Sequence, residues 1–223
     1  MRVPKALESI FAFYPAAQGI LVATDVVRLV RSPDAVNGAR LVFSAYLLSP
    51  LVWTALKALF GPTPEGVFRI GKRAKGGNLW FLYYNLQSFY TSFPTFERAL
   101  RLVPGLYSAW LRLWGSRIGK KVNWTAECQI VDRGHLEVGD RAFFGNRSYL
   151  SAHALKKTDD RYLLFVKKIT VGADAMVSYS AHVGPGVRIG ARAHIEAGAG
   201  LYPNMKVGDG ESYALRERNH GNA

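Results

Sequence analysis

The sequence predicts a mainly β solenoid of six-residue repeats, preceded by a helical and partly hydrophobic N-terminal region. The first observation is a series of aliphatic residues spaced six apart: Val171, Val177, Val183, Ile189, Ile195, Leu201 and Val207. The second is a small or aliphatic residue four places later in each repeat: Ala175, Ala181, Val187, Ala193 and Ala199. The third is a pair of long apolar stretches within the first 60 residues. A period of six fits neither a helix nor simple strand alternation, so it indicates an internal repeat whose inward residues stack into one core.

Less regular repeats begin at Ile118 and continue to Leu150, with a two-residue slip after His135. Residues 154–168 do not follow the repeat, which resumes at Ile169. An insertion of this kind leaves a solenoid as a loop and tends to build its binding face. We therefore expect three parts: a helical region at 1–115, a repeat domain at 116–212 with a loop at 154–168, and a polar tail at 213–223.

The repeats, entered through the sequence GSRIGKKV at residues 115–122, resemble those of the hexapeptide-repeat acyltransferase family. The resemblance covers about residues 110–210. It implies a left-handed parallel β-helix with three hexads in each coil, an exception to the usual right-handed crossover. It also implies a homotrimer with active sites between adjacent solenoids. The expected reaction is direct transfer from acetyl-CoA, another acyl-CoA or an acyl carrier protein, without a covalent acyl-enzyme.

His153 ends the segment YLSAH directly before the insertion, and the segment KITVG at residues 168–172 follows it. The family places its catalytic histidine at the corresponding point, so the resemblance implies that His153 is the general base. Imidazole has an unperturbed pKa suited to removing a proton from a hydroxyl or amine near neutral pH. The alternative is a solvated turn histidine at a loop edge.

The resemblance also assigns binding roles to residues around His153. Asn146 matches an asparagine that lines the acceptor pocket and could hold a substrate hydroxyl. Asp132 occupies a position where related enzymes carry an acidic residue on the acceptor side. Either residue could instead belong to a turn. Basic side chains for the phosphates of coenzyme A are expected at Lys167, Lys168, Arg188 and Arg192, although outward charges on a solenoid are often merely solvated.

The net charge and the spacing of the histidines limit the kinds of partner that the sequence predicts. The formal net charge is +13, which suits nucleic acid, an anionic membrane or phosphate-bearing ligands. No nucleic-acid-binding motif accompanies it, so nucleic acid is not predicted. His182 and His194 are twelve residues apart and are expected on different faces, so we predict no metal site of the kind seen in gamma-class carbonic anhydrases. The single cysteine, Cys128, is expected in the core of a protein from a reducing compartment.

The N-terminal region contains two apolar segments, 8–31 and 41–60, joined by a turn-like sequence. The second is about 20 residues long with Lys57 near its end, which is enough to cross a bilayer. One interpretation is a hairpin in or on a membrane, and the other is a pair of helices packed on the solenoid or on a partner subunit. Basic residues flank the hairpin and place both ends in the cytoplasm under the positive-inside rule: Arg2, Lys5, Arg69, Lys72, Arg73 and Lys75.

Two further segments lead into the repeats. Residues 78–95 are rich in aromatic side chains, which would suit either a membrane interface or a layer that caps the open end of the solenoid. Residues 96–115 have the pattern of an amphipathic helix broken near Pro104-Gly105. A solenoid needs a cap over its terminal coil, and this helix is well placed to supply one.

These observations predict a membrane-associated acyltransferase on the cytoplasmic face. It would transfer an acyl group, most simply acetyl, from a CoA thioester to a hydroxyl or amine of a lipid-linked sugar or another amphiphilic acceptor. The hydrophobic N-terminal third sets the chain apart from the soluble sugar acetyltransferases. The alternative is a non-catalytic solenoid that binds or scaffolds at the membrane, because a fold does not determine a function.

Overall fold

The computed structural model describes residues 3–70, 77–158 and 161–214. Four of the predicted flanking basic residues, Arg2, Lys72, Arg73 and Lys75, lie outside these ranges, as do residues 215–223 of the predicted tail. The helices are α1 (Lys5–Ala12), α2 (Tyr14–Arg31), α3 (Ala35–Val42), a π-helical turn (Phe43–Leu47), α4 (Leu48–Phe60), α5 (Gly77–Ser92), α6 (Thr95–Arg101) and α7 (Leu106–Leu113).

The strands are short and follow the hexads. In chain order they are β1 (Gly66–Ile70), β2 (Arg117–Ile118), β3 (Asn123–Trp124), β4 (Gln129–Ile130), β5 (Leu136–Val138), β6 (Phe143–Phe144), β7 (Tyr149–Leu150), β8 (His153–Lys157), β9 (Tyr162–Val166), β10 (Ile169–Val171), β11 (Met176–Val177), β12 (His182–Val183), β13 (Arg188–Ile189), β14 (His194–Ile195), β15 (Gly200–Leu201), β16 (Lys206–Val207) and β17 (Ser212–Tyr213).

The repeat strands form three parallel sheets that the chain visits in rotation. The first sheet contains β2, β5, β10, β13 and β16, the second β3, β6, β11, β14 and β17, and the third β4, β7, β12 and β15. From β10 onward the partners are 18 residues apart, as in Thr170 with Arg188 and Met176 with His194. Three hexads therefore complete one passage through the three sheets, as the family resemblance implied. The last described strand, β17, pairs with β14 and ends at Tyr213, one residue past the predicted boundary at 212.

The predicted inward residues form the core of this coil. The seven aliphatic positions from Val171 to Val207 are each at most 6% exposed, and the five corner positions from Ala175 to Ala199 are at most 1% exposed. The coils stack so closely that a Cβ on Gly172 would lie 2.4 Å from the backbone nitrogen of Ala191. The glycine that follows the aliphatic residue is therefore required by the coil spacing at this position.

Each corner of the later coils contains one residue in the left-handed backbone region. From Asp174 onward these residues recur every six positions: Asp174, Ser180, Gly186, Arg192, Gly198, Asn204 and Gly210. An L-residue in this conformation costs about 1–2 kcal/mol. Stacking of the apolar residues inside the coil has to offset that cost at every non-glycine corner.

The 154–168 insertion, predicted as a loop, is a β-hairpin in the described residues. β8 and β9 pair antiparallel, and β1 from the helical region pairs with the other edge of β9. The alternation of β9 buries Leu164 and Val166 against Trp80 of α5. A strand with one buried face needs pairing partners for its backbone, and β1 and β8 provide them. Residues 159–160 of the insertion lie outside the described ranges.

The helices pack on the first coil and cover it. Trp53 of α4 contacts Trp114 with ring centroids 5.5 Å apart, and a Cβ on Gly134 of the coil would lie 2.4 Å from the Trp53 ring. Most aromatic side chains of α5 are buried, including Tyr83 and Tyr90. In the structure this aromatic segment therefore packs as a layer against the solenoid, which is the capping interpretation.

Pro50 has no N–H to donate to the carbonyl of Tyr46, and the π-helical turn changes the hydrogen-bond spacing of the residues before it. The carbonyls of Ser44, Ala45 and Tyr46 lie in this turn. Each accepts a hydrogen bond from a side chain of another helix. Gln18 Nε2 donates to Ser44 O at 3.3 Å, Tyr90 Oη to Ala45 O at 2.9 Å and Trp110 Nε1 to Tyr46 O at 2.8 Å. One side of this apolar helix is therefore attached to the rest of the protein by polar contacts.

The other side of the helical region is apolar and exposed. Residues 35–60 form one 26-residue helix that contains an 18-residue stretch with a mean hydropathy of 1.4, long and apolar enough to cross a membrane. Helices α1 and α2 pass the same test only as a pair, with a 42° bend between them. Exposed apolar side chains on these helices, which we call the apolar face, are Ile10, Phe13, Ile20, Val27, Val30, Val36, Val42, Leu51 and Leu59.

Candidate functional site

His153 lies at the start of β8, where the chain leaves the third sheet for the hairpin. Its Nδ1 is 2.8 Å from Oδ2 of Asp132, which is buried. An ionised carboxylate only accepts hydrogen bonds, so Nδ1 carries the proton and Nε2 of the neutral ring keeps a lone pair. Within the described ranges no side chain or backbone group is hydrogen-bonded to Nε2. Nε2 is therefore placed to act as a base.

Asp132 is held in its ionised form. Burial alone would raise the pKa of Asp132, but the hydrogen bond and charge of His153, together with the Ala152 backbone N–H, keep that pKa below its ordinary value. A carboxylate in this position orients the imidazole and stabilises the imidazolium that forms when Nε2 takes a proton. The predicted role of Asp132 in acceptor binding stays a prediction; in this structure its side chain is buried against His153 and lines neither of the cavities described below.

The imidazole of His153 is also held by packing. Its ring centroid is 4.8 Å from that of Trp80 and 5.7 Å from that of Tyr84, both on α5. The Ser151 hydroxyl donates to the His153 carbonyl oxygen at 2.8 Å. Ser151 thus fixes the local backbone, a role that agrees with a reaction lacking a serine nucleophile.

Two cavities meet at His153. The helix cavity, of about 180 Å³, lies between α5, α6 and the first coil, and its lining includes Tyr84, Tyr90, Glu97, Arg98, Arg101 and Arg133. The sheet groove, of about 510 Å³, runs along the third sheet, and its lining includes His182, Gly184, Pro185, Gly200, Tyr202 and Pro203. Tyr149 and His153 line both. A molecule in either space would therefore lie next to His153.

A buried charged cluster lies at the wall of the helix cavity. Glu97 forms ion pairs with Arg133 and, at 3.1 Å, with Arg101. It also accepts a hydrogen bond from the Tyr107 hydroxyl at 2.7 Å. The sequence analysis did not identify this cluster. The i,i+4 spacing of Glu97 and Arg101 is a local signal, but Arg133 is 36 residues from Glu97 and comes from the coil.

Asn146 does not join the site. It lies in the corner between β6 and β7, and its Oδ1 accepts a hydrogen bond from the Glu127 backbone N–H at 3.4 Å. It lines neither the helix cavity nor the sheet groove. The corner directs the side chain to the preceding coil, and the role of Asn146 in holding the acceptor stays a prediction.

The four predicted coenzyme A residues are not gathered around His153. Lys167 is nearest, since its backbone N–H donates to the Ala152 carbonyl at 2.8 Å, while its Nζ binds Asn204 Oδ1 at 2.9 Å. Lys168 forms an ion pair with Glu137 at 2.9 Å beside the first sheet. Arg188 projects from the first sheet, and Arg192 occupies the corner that follows. Three of the four thus belong to another side of the coil, because a single hexad moves the chain to the next sheet.

The remaining histidines of the coil lie apart. His182 is on the third sheet and His194 on the second, as predicted from their spacing. His194 Nε2 is hydrogen-bonded to Ser178 Oγ at 2.9 Å. Among the described residues there is no group of three His, Cys, Asp or Glu side chains that could hold a metal ion.

Comparison with solved structures returned acetyltransferases among its matches. No protein-family model and no curated protein matches the chain. A maltose O-acetyltransferase from Clostridium difficile 630 matches at 12% identity over 55% of this chain and 80% of its own, with a TM-score of 0.42.

Two further matches are of the same class. A hexapeptide-repeat-containing acetyltransferase from Vibrio cholerae O1 biovar eltor, complexed with acetyl coenzyme A, is 21% identical over 42% of this chain and 55% of its own, with a TM-score of 0.37. A serine acetyltransferase from Neisseria gonorrhoeae is 14% identical over 90% of this chain and 84% of its own, with a TM-score of 0.33. Similarity at this level assigns no activity, so the proposal that follows is argued from the residues of this chain.

Proposed function

We propose that this protein is an acyltransferase in which His153 acts as general base. The donor is a CoA thioester, most simply acetyl-CoA, and the acceptor is a hydroxyl or amine. Nε2 of His153 removes the acceptor proton as the oxygen or nitrogen attacks the thioester carbonyl carbon. The carbon–sulfur bond then breaks, and the imidazolium returns the proton to the departing thiolate.

The observation that carries the proposal is the Asp132–His153 pair at the meeting point of two cavities. A buried carboxylate on Nδ1 and an unoccupied Nε2 are the arrangement that a general base requires. The sheet groove is long and lined by glycine and proline, which suits an extended thioester arm that approaches the backbone closely. The smaller helix cavity would then hold the acceptor.

The proposal extends to assembly and location. The family resemblance of the hexads supports a left-handed coil and a homotrimer. The apolar face, together with the 26-residue helix, supports attachment to a membrane, and the basic residues that flank the hairpin favour its cytoplasmic side. An acceptor that is lipid-linked or otherwise amphiphilic would be concentrated at that surface.

The test follows label from radiolabelled acetyl-CoA into lipid, saccharide and water-soluble fractions of membranes that contain the protein. We expect transfer with the wild type and with His194→Ala, whose ring lies on another sheet, but about 10²–10⁴-fold slower transfer with His153→Ala. Unchanged transfer in His153→Ala would rule out the base assignment.

The second candidate is a scaffold without catalysis, which the apolar face alone would support. Coenzyme A binding only to the folded protein would raise its Tm. A protein that shows neither this stabilisation nor transfer into any fraction is a scaffold. Stabilisation by coenzyme A together with His153-dependent transfer excludes that candidate.

A further inference from the structure

We infer that the acceptor carries an anionic group, a carboxylate or a phosphate, which binds in the helix cavity against Arg98, Arg101 and Arg133. That the bound molecule is the acceptor rests on the proposed function. That the cavity binds an anion is inferred from the charges around it. Nothing in the hexad pattern indicates this site, because two of these arginines come from α6, outside the repeats.

The cavity wall contains more positive than negative charge. The carboxylate of Glu97 is shared by two guanidinium groups, those of Arg133 and Arg101. All three side chains are at most 5% exposed. The other acidic lining residue, Glu127, is paired with Arg147 at 3.2 Å. The buried cluster therefore keeps one excess positive charge, and burying a charge without a counter-charge is unfavourable.

Two guanidinium groups retain hydrogen-bonding capacity. Nε of Arg101 is buried without a hydrogen-bond partner. The Arg98 side chain is exposed, lines the cavity and has no hydrogen-bond or ion-pair partner among the described residues. Guanidinium groups present several donors that match the oxygens of a carboxylate or phosphate. An anion entering past Arg98 would supply the missing charge.

The cavity size favours a small charged group over an extended donor. A cavity of about 150 Å³ holds a benzene ring, so about 180 Å³ holds a group of similar size, such as a short carboxylate or a phosphate with its carbon substituent. Because His153 lines the same cavity, an anion held by the arginines would place a neighbouring hydroxyl or amine of the acceptor near Nε2. The arginines would thus select acceptors and position them.

The experiment measures binding to the purified full chain in detergent at constant ionic strength, with chloride as the balancing anion. The probes are inorganic phosphate and succinate, and the readout is the rise in Tm with probe concentration. We expect at least one probe to stabilise the wild type and to bind about tenfold more weakly to Arg98→Gln, which loses charged hydrogen bonds. Arg117→Gln is the matched control. It removes the same positive charge from the protein, but Arg117 is exposed beside the first sheet.

A second pair of probes separates the possible sources of a phosphate. Glycerol 3-phosphate carries the anionic group without an acyl chain. Lysophosphatidic acid, its single-chain lipid, carries the same group with one acyl chain. Tighter binding of the lipid, lost equally in Arg98→Gln, supports a lipid-borne acceptor. Equal binding of the two supports a water-soluble anion in the same site.

The inference is overturned if neither probe stabilises the wild type beyond chloride, or if Arg98→Gln and Arg117→Gln respond alike. Coenzyme A serves to separate the two proposals. If it stabilises Arg98→Gln as it does the wild type while the anions have no effect, the acyltransferase proposal stands without the anion site. Arg98-dependent anion binding together with unchanged transfer in His153→Ala overturns the base assignment instead.

Discussion

At the scale of single residues, the chemistry depends on how Asp132 holds His153. Replacing Asp132 by Asn keeps the size of the side chain but can turn the wrong group toward Nδ1, which favours the wrong tautomer of the imidazole. We expect Asp132→Asn to lower kcat/KM by about 10²–10⁴-fold. Steady-state transfer from acetyl-CoA measures this change. Asp174→Asn, at an exposed ion pair with Arg141, should leave the rate unaltered.

The same carboxylate predicts the response of stability to acid. Its pKa is lower in the folded protein than the value of about 3.9 in an unfolded chain. Its contribution is therefore fully present above pH 4 and is lost as pH falls through the folded pKa. Urea unfolding of the wild type and of Asp132→Asn should show a stability difference that narrows as the pH falls from 5 toward 3. A difference that is constant over this range would contradict the prediction.

Glu97 is the residue on which the buried charged cluster depends. Glu97→Gln would leave Arg101 and Arg133 as buried charges without a carboxylate. Breaking a buried pair in this way costs about 3–5 kcal/mol, and denaturant unfolding would report it. Glu127→Gln, which removes an exposed pair with Arg147, should cost about 0–1 kcal/mol. Similar losses in the two variants would show that the cluster is not strongly stabilising.

At the scale of elements, the corners of the coil share the left-handed backbone region, with glycine at some hexads and another residue at others. Gly198 has φ of +71°, and a Cβ would meet nothing within 4 Å, so its replacement tests backbone conformation alone. Gly200 is equally open but lies in a strand and is not in the left-handed region.

We expect Gly198→Ala to reduce the free energy of unfolding by about 1–2 kcal/mol, because alanine is disfavoured at positive φ. Gly200→Ala should be neutral or stabilising by up to about 1 kcal/mol, since alanine restricts the unfolded chain. Thermal unfolding of the two variants measures the contrast. Equal effects would mean that the corner conformation carries no cost.

The hairpin is the element that links the helical region to the site. β1 pairs with β9, and β8 begins with His153, so one three-stranded sheet joins the segment after α4 to the base. Trp80 packs against both the hairpin core and the His153 ring. The helical region therefore does more than cap the coil, since it also supplies one wall of the helix cavity and supports the imidazole.

At the scale of the whole molecule, the helices present two different surfaces. On the inner surface, the Trp53 ring packs against Gly134 of the coil, and side chains of other helices donate hydrogen bonds to the π-helical turn. The outer surface is the apolar face. An apolar area of this kind on a protein marks a membrane or protein contact.

Charges placed on the apolar face should weaken membrane attachment. We expect Ile20→Asp combined with Val30→Asp to move the protein from the membrane pellet toward the soluble fraction after cell lysis, because both side chains are exposed on α2. Leu155→Asp, at an exposed position of the hairpin, is the control and should leave the distribution unchanged. Retention of the double variant in the pellet would contradict attachment through this face.

The sequence by itself predicted the repeat, the residues of its core and the place of His153 directly before the insertion. Each inward residue of a hexad recurs at a fixed local spacing, so the burial of Val171 through Val207 and the change of sheet every six residues could be read directly. The segment YLSAH before an insertion located His153 by resemblance. These features depend on the order of residues over short distances.

Only the tertiary structure decided which residues surround His153. Asp132 and His153 are 21 residues apart, and Glu97 and Arg133 are 36 apart. The pairing of β1 with β9 joins segments almost 100 residues apart. No period connects these partners, since they come from the slip in the early coils, the insertion and the helices. For the same reason, the outward basic residues Lys168, Arg188 and Arg192 could be located on the coil but not assigned to the side that carries the base.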